Sequence, residues 1–286
     1  WGVEKFRKVL EEEYLKRPLI DGPAPDPVVR PIDHVGVQKL RNGLNAVGVA
    51  PIAGRVSGTI LSKVADLAEA AVRALARHHT EFWESPTFDA ELSWLPFGWD
   101  PPMPQGVKHG VSTAWEPFLA GFGDRVDGDI RAIGERFPSV VEEMMYFPDK
   151  ATTLAHGDYR LDNLFFRRHH DGPEVIAIDW QICVKTVGAY DLGYFISQSL
   201  TVEDRRSHEE RLLDVYRATL AEAGIDYPAD ELVEDYRRTV LFCLCYPIQA
   251  GGSIELVNDR AVQLVGLMLD RVVAAIRDLD AASLMP

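Results

Sequence analysis

The sequence predicts an α+β fold, a mostly helical body that carries one short β-hairpin. Three observations predict it. Apolar residues recur at helical spacing over most of the chain after residue 60. Two short apolar runs, at 164–166 and 175–178, flank a polar stretch with an Asp-Gly pair, which is a hairpin signal. The chain has 286 residues, 47% hydrophobic and 26% charged, the make-up of an ordinary globule long enough to bury a core of one or two domains.

Taken in order, residues 2–17 form a helical stripe of Val3, Phe6, Val9, Leu10 and Tyr14. Residues 18–31 hold five prolines and read as a loop, and 35–47 read as a second short helix. Residues 50–58 carry Gly54 and Gly58 but match neither a P-loop nor G-x-G-x-x-G, so they read as a linker. Ser62 is the expected N-cap of a helix whose stripe includes Val64, Leu67, Ala71, Val72 and Leu75. His78 and His79 are neighbours and cannot share a helix face as an i,i+4 metal pair would, so a structural role is expected.

Residues 84–110, rich in Pro, Gly and Trp, read as a long loop. In it Trp94 and Trp99 either line a pocket or anchor the loop to the core. Helices are expected at 111–120, 126–145, 188–200, 203–224, 228–250 and 254–279, with Pro247 kinking or ending the fifth. No internal repeat or low-complexity tract appears.

Chemistry concentrates on residues 153–200. The hairpin brings its two outer ends together. One end carries His156-Gly157-Asp158-Tyr159-Arg160-Leu161-Asp162-Asn163, and the other carries Asp179-Trp180. Asp158, Asn163 and Asp179 are therefore expected close together. A carboxylate that orients a hydroxyl, plus one amide and one carboxylate oxygen for magnesium, is a set that suits phosphoryl transfer. H-x-D-x-x-x-x-N followed by a later Asp is the spacing of a kinase catalytic loop. Singly, each of these residues could be an ordinary turn or strand-end residue.

HGDYRLDNLFF, then IDWQ, then GAYDLGYF resemble the aminoglycoside phosphotransferase and choline kinase-like superfamily, in its bacterial small-molecule branch. The resemblance runs from about Lys63 to the C-terminus. It implies a protein-kinase-like fold, with residues 61–286 as the large catalytic lobe. It implies Asp158 as the base that orients the acceptor hydroxyl, Arg160 as a cation facing the transferred phosphate, and Asn163 and Asp179 as the magnesium and nucleotide ligands. His156 and Asp191 would support the loop, and Asp191 is also an expected helix N-cap. The implied cofactors are ATP and Mg. The implied partners are a nucleotide and a small-molecule hydroxyl acceptor: aminoglycoside-like, a sugar or another alcohol.

The pattern departs from that family at the start. Residues 1–60 show almost no strand alternation. They read as a remnant of, or lead-in to, the small nucleotide lobe, and neither Lys39 nor Lys63 is placed as the ATP lysine. The chain opens on Trp1, so the expectation is that translation starts earlier and that small-lobe segments lie outside this sequence. The other readings are a catalytically inactive kinase-like binding module and, more weakly, a metal-dependent hydrolase.

A net charge of −14 argues against nucleic acid as a partner. No run reaches the roughly 18 apolar residues of a membrane span. Three cysteines, Cys183, Cys243 and Cys245, read as buried thiols of a cytoplasmic protein. Oligomeric state is not encoded in any pattern.

Overall fold

The computed structural model describes residues 58–169, 172–253 and 259–286. The expected helices at 2–17 and 35–47, the loop at 18–31 and most of the linker at 50–58 lie outside the described residues.

Among the described residues the architecture is mostly helical with two small sheets. Helix α1 (Gly58–Phe82) is already helical at Gly58, so Ser62 lies inside it and is not its N-cap. The Trp-rich loop is shorter than expected. A 3₁₀ turn at Pro86–Asp89 and a run of turns give way to α2 (Met103–Phe122), with Pro104 in its first turn, where a missing N–H costs nothing. Trp99 stacks on Phe97 at 4.8 Å and meets Tyr146 edge-on, so it anchors the loop.

Helix α3 (Gly128–Met144) is capped by Asp127, whose Oδ1 accepts from Ile130 N. Then come β1 (Thr153–Ala155), β2 (Leu164–His169), β3 (Gly172–Ala177) and β4 (Val184–Thr186). Helices α4 (Ala189–Ser199), α5 (Val202–Glu222), α6 (Ala229–Phe242), α7 (Cys245–Ser253) and α8 (Asp259–Asp278) complete the described chain.

β2 and β3 pair antiparallel from Leu164↔Ala177 to His169↔Gly172, so the strands run further than the apolar runs alone suggested. Alternation then sorts the hairpin. Leu164, Phe166, Val175 and Ala177 face the core, while Ile176 and Ile178 are exposed. The second sheet, β1 with β4, was not expected: two three-residue strands are too short to leave a pattern.

The long helix expected at 228–250 is two helices that break at Cys243–Leu244. Pro247 does not end either one. It sits in the first turn of α7, where its missing N–H breaks no helical bond. α7 packs on α2, and the approach is close because of Gly252, where a Cβ would lie 2.0 Å from Ala114 O. All three cysteines are free and buried. No helix of the described residues is long and apolar enough to cross a membrane.

Candidate active site

The loop at 156–163 leaves buried β1 and enters β2, and it is held from behind. Gly157 has φ +86, and a Cβ there would meet Ile182 O at 2.3 Å, so the turn requires glycine. Asp191, in the first turn of α4, is fully buried and accepts from His156 N at 2.6 Å and Gly157 N at 2.9 Å. It does not cap its own helix, which starts after Gly188 with no side-chain cap; its carboxylate is committed to the loop instead.

His79, on α1, lies 3.2 Å from Asp191 Oδ2 through Nε2 and 2.6 Å from Tyr216 Oη through Nδ1. Burial alone would raise the Asp191 carboxyl. The hydrogen bond and charge of His79, with His156, outweigh burial and hold it below the usual carboxylate range. His78 is buried too and bonds Leu154 O through Nε2 at 2.7 Å. Burial, then the neighbouring His79, push its imidazole down to about 3. His156 accepts from Asp158 N at Nδ1 (3.2 Å) and donates from Nε2 to Ile178 O (2.9 Å), which ties the loop to the far end of the hairpin.

On the outer side, Asn163 Nδ2 donates both to Asp158 O (2.9 Å) and to Asp158 Oδ2 (2.8 Å). The amide nitrogen is thereby committed, leaving Oδ1 as the group that could meet a cation. Asn163 O accepts from Ile178 N at 2.9 Å, which seats Asp179 beside it. Asp179 is exposed and has φ +69, a left-handed backbone that is uncommon outside glycine and concentrates at functional sites.

One amide oxygen and one exposed carboxylate are what magnesium takes from a protein when phosphates and waters complete its shell. Among the described residues no group of three or more His, Cys, Asp or Glu stands ready as an all-protein metal cage.

Arg160 lies on Asp158: its Nε is 3.0 Å from Oδ1, close enough for an ion pair although the N–H is not aimed along the bond. Its Nη1 is 3.6 Å from Asp162 Oδ2. Burial works against its charge, but Tyr194, Asp158 and Asp162 outweigh it and hold the guanidinium above its ordinary value. The structure therefore brings Asp158, Arg160, Asn163 and Asp179 to one end of the hairpin, with His156 and Asp191 behind them.

Sequence reasoning missed the His79–Tyr216 pair, which no spacing within one element could signal. A cavity of about 30 Å³ lies beside Met103, Met145, Phe147, Thr186 and Phe242.

This loop is backed by a buried carboxylate and opens on an Asp–Asn–Asp set. The Ecdysteroid kinase-like family matches residues 113–226, less than half of the chain but including the whole site. The match supports a protein-kinase-like and choline kinase-like superfamily and a phosphotransferase of small molecules; it does not single out the aminoglycoside branch.

A separate likeness is short and very high. The chain is 83% identical over 71 residues to "Sulfite reductase [ferredoxin] 2" of Mycolicibacterium paratuberculosis, over 25% of this chain and 13% of that protein. It is 84% identical over 67 residues to "Sulfite reductase [ferredoxin]" of Mycobacterium tuberculosis H37Rv, over 23% and 12%. The chain thus spans about one eighth of the length of the curated relatives it matches.

Proposed function

We propose that the chain is an ATP- and magnesium-dependent phosphotransferase that acts on a hydroxyl of a small molecule. The observation that carries this reading is the Asn163 amide bonded to Asp158, with Asp179 seated beside it through the Ile178–Asn163 backbone bond. Asp158 orients the acceptor hydroxyl and accepts its proton as the new O–P bond forms and the bond from that γ-phosphorus to the ADP oxygen breaks, ADP leaving. Catalysis of this reaction rests on position and charge. Asn163 Oδ1 and Asp179 would hold magnesium, which when bound neutralises charge on the nucleotide phosphates.

Arg160 stays on Asp158 until a phosphoryl group competes for it. The buried Asp191–His79 pair keeps the loop backbone in place. A screen of aminoglycosides, sugars and simple alcohols for acceptor-dependent ADP release tests the reading. Magnesium-dependent release with at least one acceptor is expected, and none with any acceptor would leave the inactive binding module as the better reading. The sulfite reductase likeness covers too little of those proteins to bring their activity here.

A further inference from the structure

We infer that Ser199 is a positioning residue for Asn163: from a neighbouring helix, its hydroxyl caps the short turn that carries that asparagine. The inference rests on the phosphotransferase reading above, which makes Asn163 Oδ1 a magnesium ligand.

The turn is the 3₁₀ turn Leu161–Asn163, just ahead of β2. A helical turn leaves its first N–H groups without partners inside it, and the residue ahead of it commonly supplies an acceptor from its own side chain. Here that residue is Arg160, whose guanidinium is a donor only, and it makes no capping bond. Ser199, the last residue of α4, supplies the acceptor instead: Leu161 N donates to its Oγ at 3.0 Å. The rest of the turn follows from that start. Asn163 N donates to Arg160 O at 2.8 Å, and Leu164 N donates to Leu161 O. The Asn163 amide then donates to Asp158 O and Oδ2. With Nδ2 committed to Asp158, the direction of Oδ1 depends on where the turn sets the Asn163 backbone.

Ser199 is itself fixed. It is buried, and Arg271 of α8 donates from Nη1 to the neighbouring Gln198 O at 2.7 Å. That bond takes a carbonyl of the last turn of α4, where helical donors run out and a cation is favoured. The same helix holds the loop at a second place, where Asp191 accepts from His156 N and Gly157 N. Asp191 and Ser199 stand about 12 Å apart along the helix axis. α4 thus grips the loop on both sides of Asp158, once by a carboxylate and once by a hydroxyl.

The opposing view is that a serine at a helix end merely finds a nearby N–H. Ser197 is the matched control. It is on the same helix, it is buried, and its Oγ bonds no group of the loop.

The experiment uses the full chain and two readouts. The first is hydrogen exchange of the Leu161 amide, followed by NMR without nucleotide or metal. The second is ADP release from ATP over a magnesium titration, with an acceptor found by screening. Ser199→Ala is expected to speed Leu161 exchange about tenfold or more, through loss of its acceptor. It is expected to raise the half-saturating magnesium concentration about tenfold, as loss of a support behind a metal ligand does. Saturating magnesium is expected to bring kcat back to within about threefold of wild type, since binding of the metal is what was lost. Ser199→Cys, close in shape and a weaker acceptor, should move both readouts the same way by less, and it serves if alanine lowers the urea midpoint. Ser197→Ala should leave both at wild type.

An unchanged Leu161 exchange rate, or faster exchange with an unchanged magnesium requirement, overturns the inference. So do equal magnesium shifts in Ser199→Ala and Ser197→Ala. These outcomes leave the phosphotransferase reading standing. A wild-type chain without magnesium-dependent turnover removes that reading and this inference with it.

Discussion

Replacing Asp191 by asparagine tests the buried support of the loop without changing its shape. The carboxylate takes three donors: His156 N and His79 Nε2 at Oδ2, and Gly157 N at Oδ1. An amide offers one oxygen, so in either rotamer its NH₂ meets a backbone N–H or a histidine donor. One charge-assisted bond is lost, about 1.5–3 kcal/mol, and a buried donor is left without an acceptor, about 1–3 kcal/mol more. The sum, about 2.5–6 kcal/mol, brackets the roughly 3–5 kcal/mol cost of breaking a buried ionic pair by removing one partner, and that narrower range is taken here.

For a unit of this size that is a fall in Tm of roughly 6–20 °C. Urea unfolding of the full chain, followed by tryptophan fluorescence and circular dichroism, measures it. Asp230→Asn on the exposed first turn of α6 serves as the reference and should lie within about 0.5 kcal/mol of wild type. A loss below about 1 kcal/mol for Asp191→Asn would show that the carboxylate does not carry the loop, and the reasoning would fail.

Three other outcomes are expected. Asp158→Asn should lower turnover about 10²–10⁴-fold with the urea midpoint unchanged, as removal of a general base does; wild-type kcat at saturating acceptor would exclude Asp158 from the reaction. Asp179→Ala should raise the magnesium concentration for half-maximal activity by about tenfold or more, and a structure with nucleotide and magnesium should show Asn163 and Asp179 oxygens about 2.1 Å from the metal; a metal elsewhere refutes the assignment. His78 is held neutral down to about 3, against 6.5 unfolded, so the unfolded chain binds the extra proton between those values. Stability should therefore fall as pH drops below 6.5, by up to about 1.4 kcal/mol per pH unit from this residue, and His78→Gln should flatten that slope in urea titrations; an unchanged slope removes His78 as its source.

The grouping of Asp158, Asn163 and Asp179 was legible because the three are tied by spacing. Asp158 and Asn163 are five apart on one loop, and Asp179 follows a strand whose register with β2 is set by the apolar alternation. The support behind the loop was not legible. His79 and Tyr216 are 137 residues apart, and His79 and Asp191 are 112 apart, so only the packed fold brings them together. The break between α6 and α7 was misplaced because proline was given the role of a terminator. Proline terminates a helix only where its N–H would have been bonded, and Pro247 stands where no such bond exists. The β1–β4 pair escaped because three-residue strands carry too few side chains to alternate.

Two likenesses of different kinds meet in this chain. The kinase-like match covers residues 113–226, and the stretch near 80% identity to sulfite reductases is 67–71 residues long. The residues that follow 226 are too few to hold that stretch. It therefore either overlaps the kinase-like region or lies ahead of residue 113.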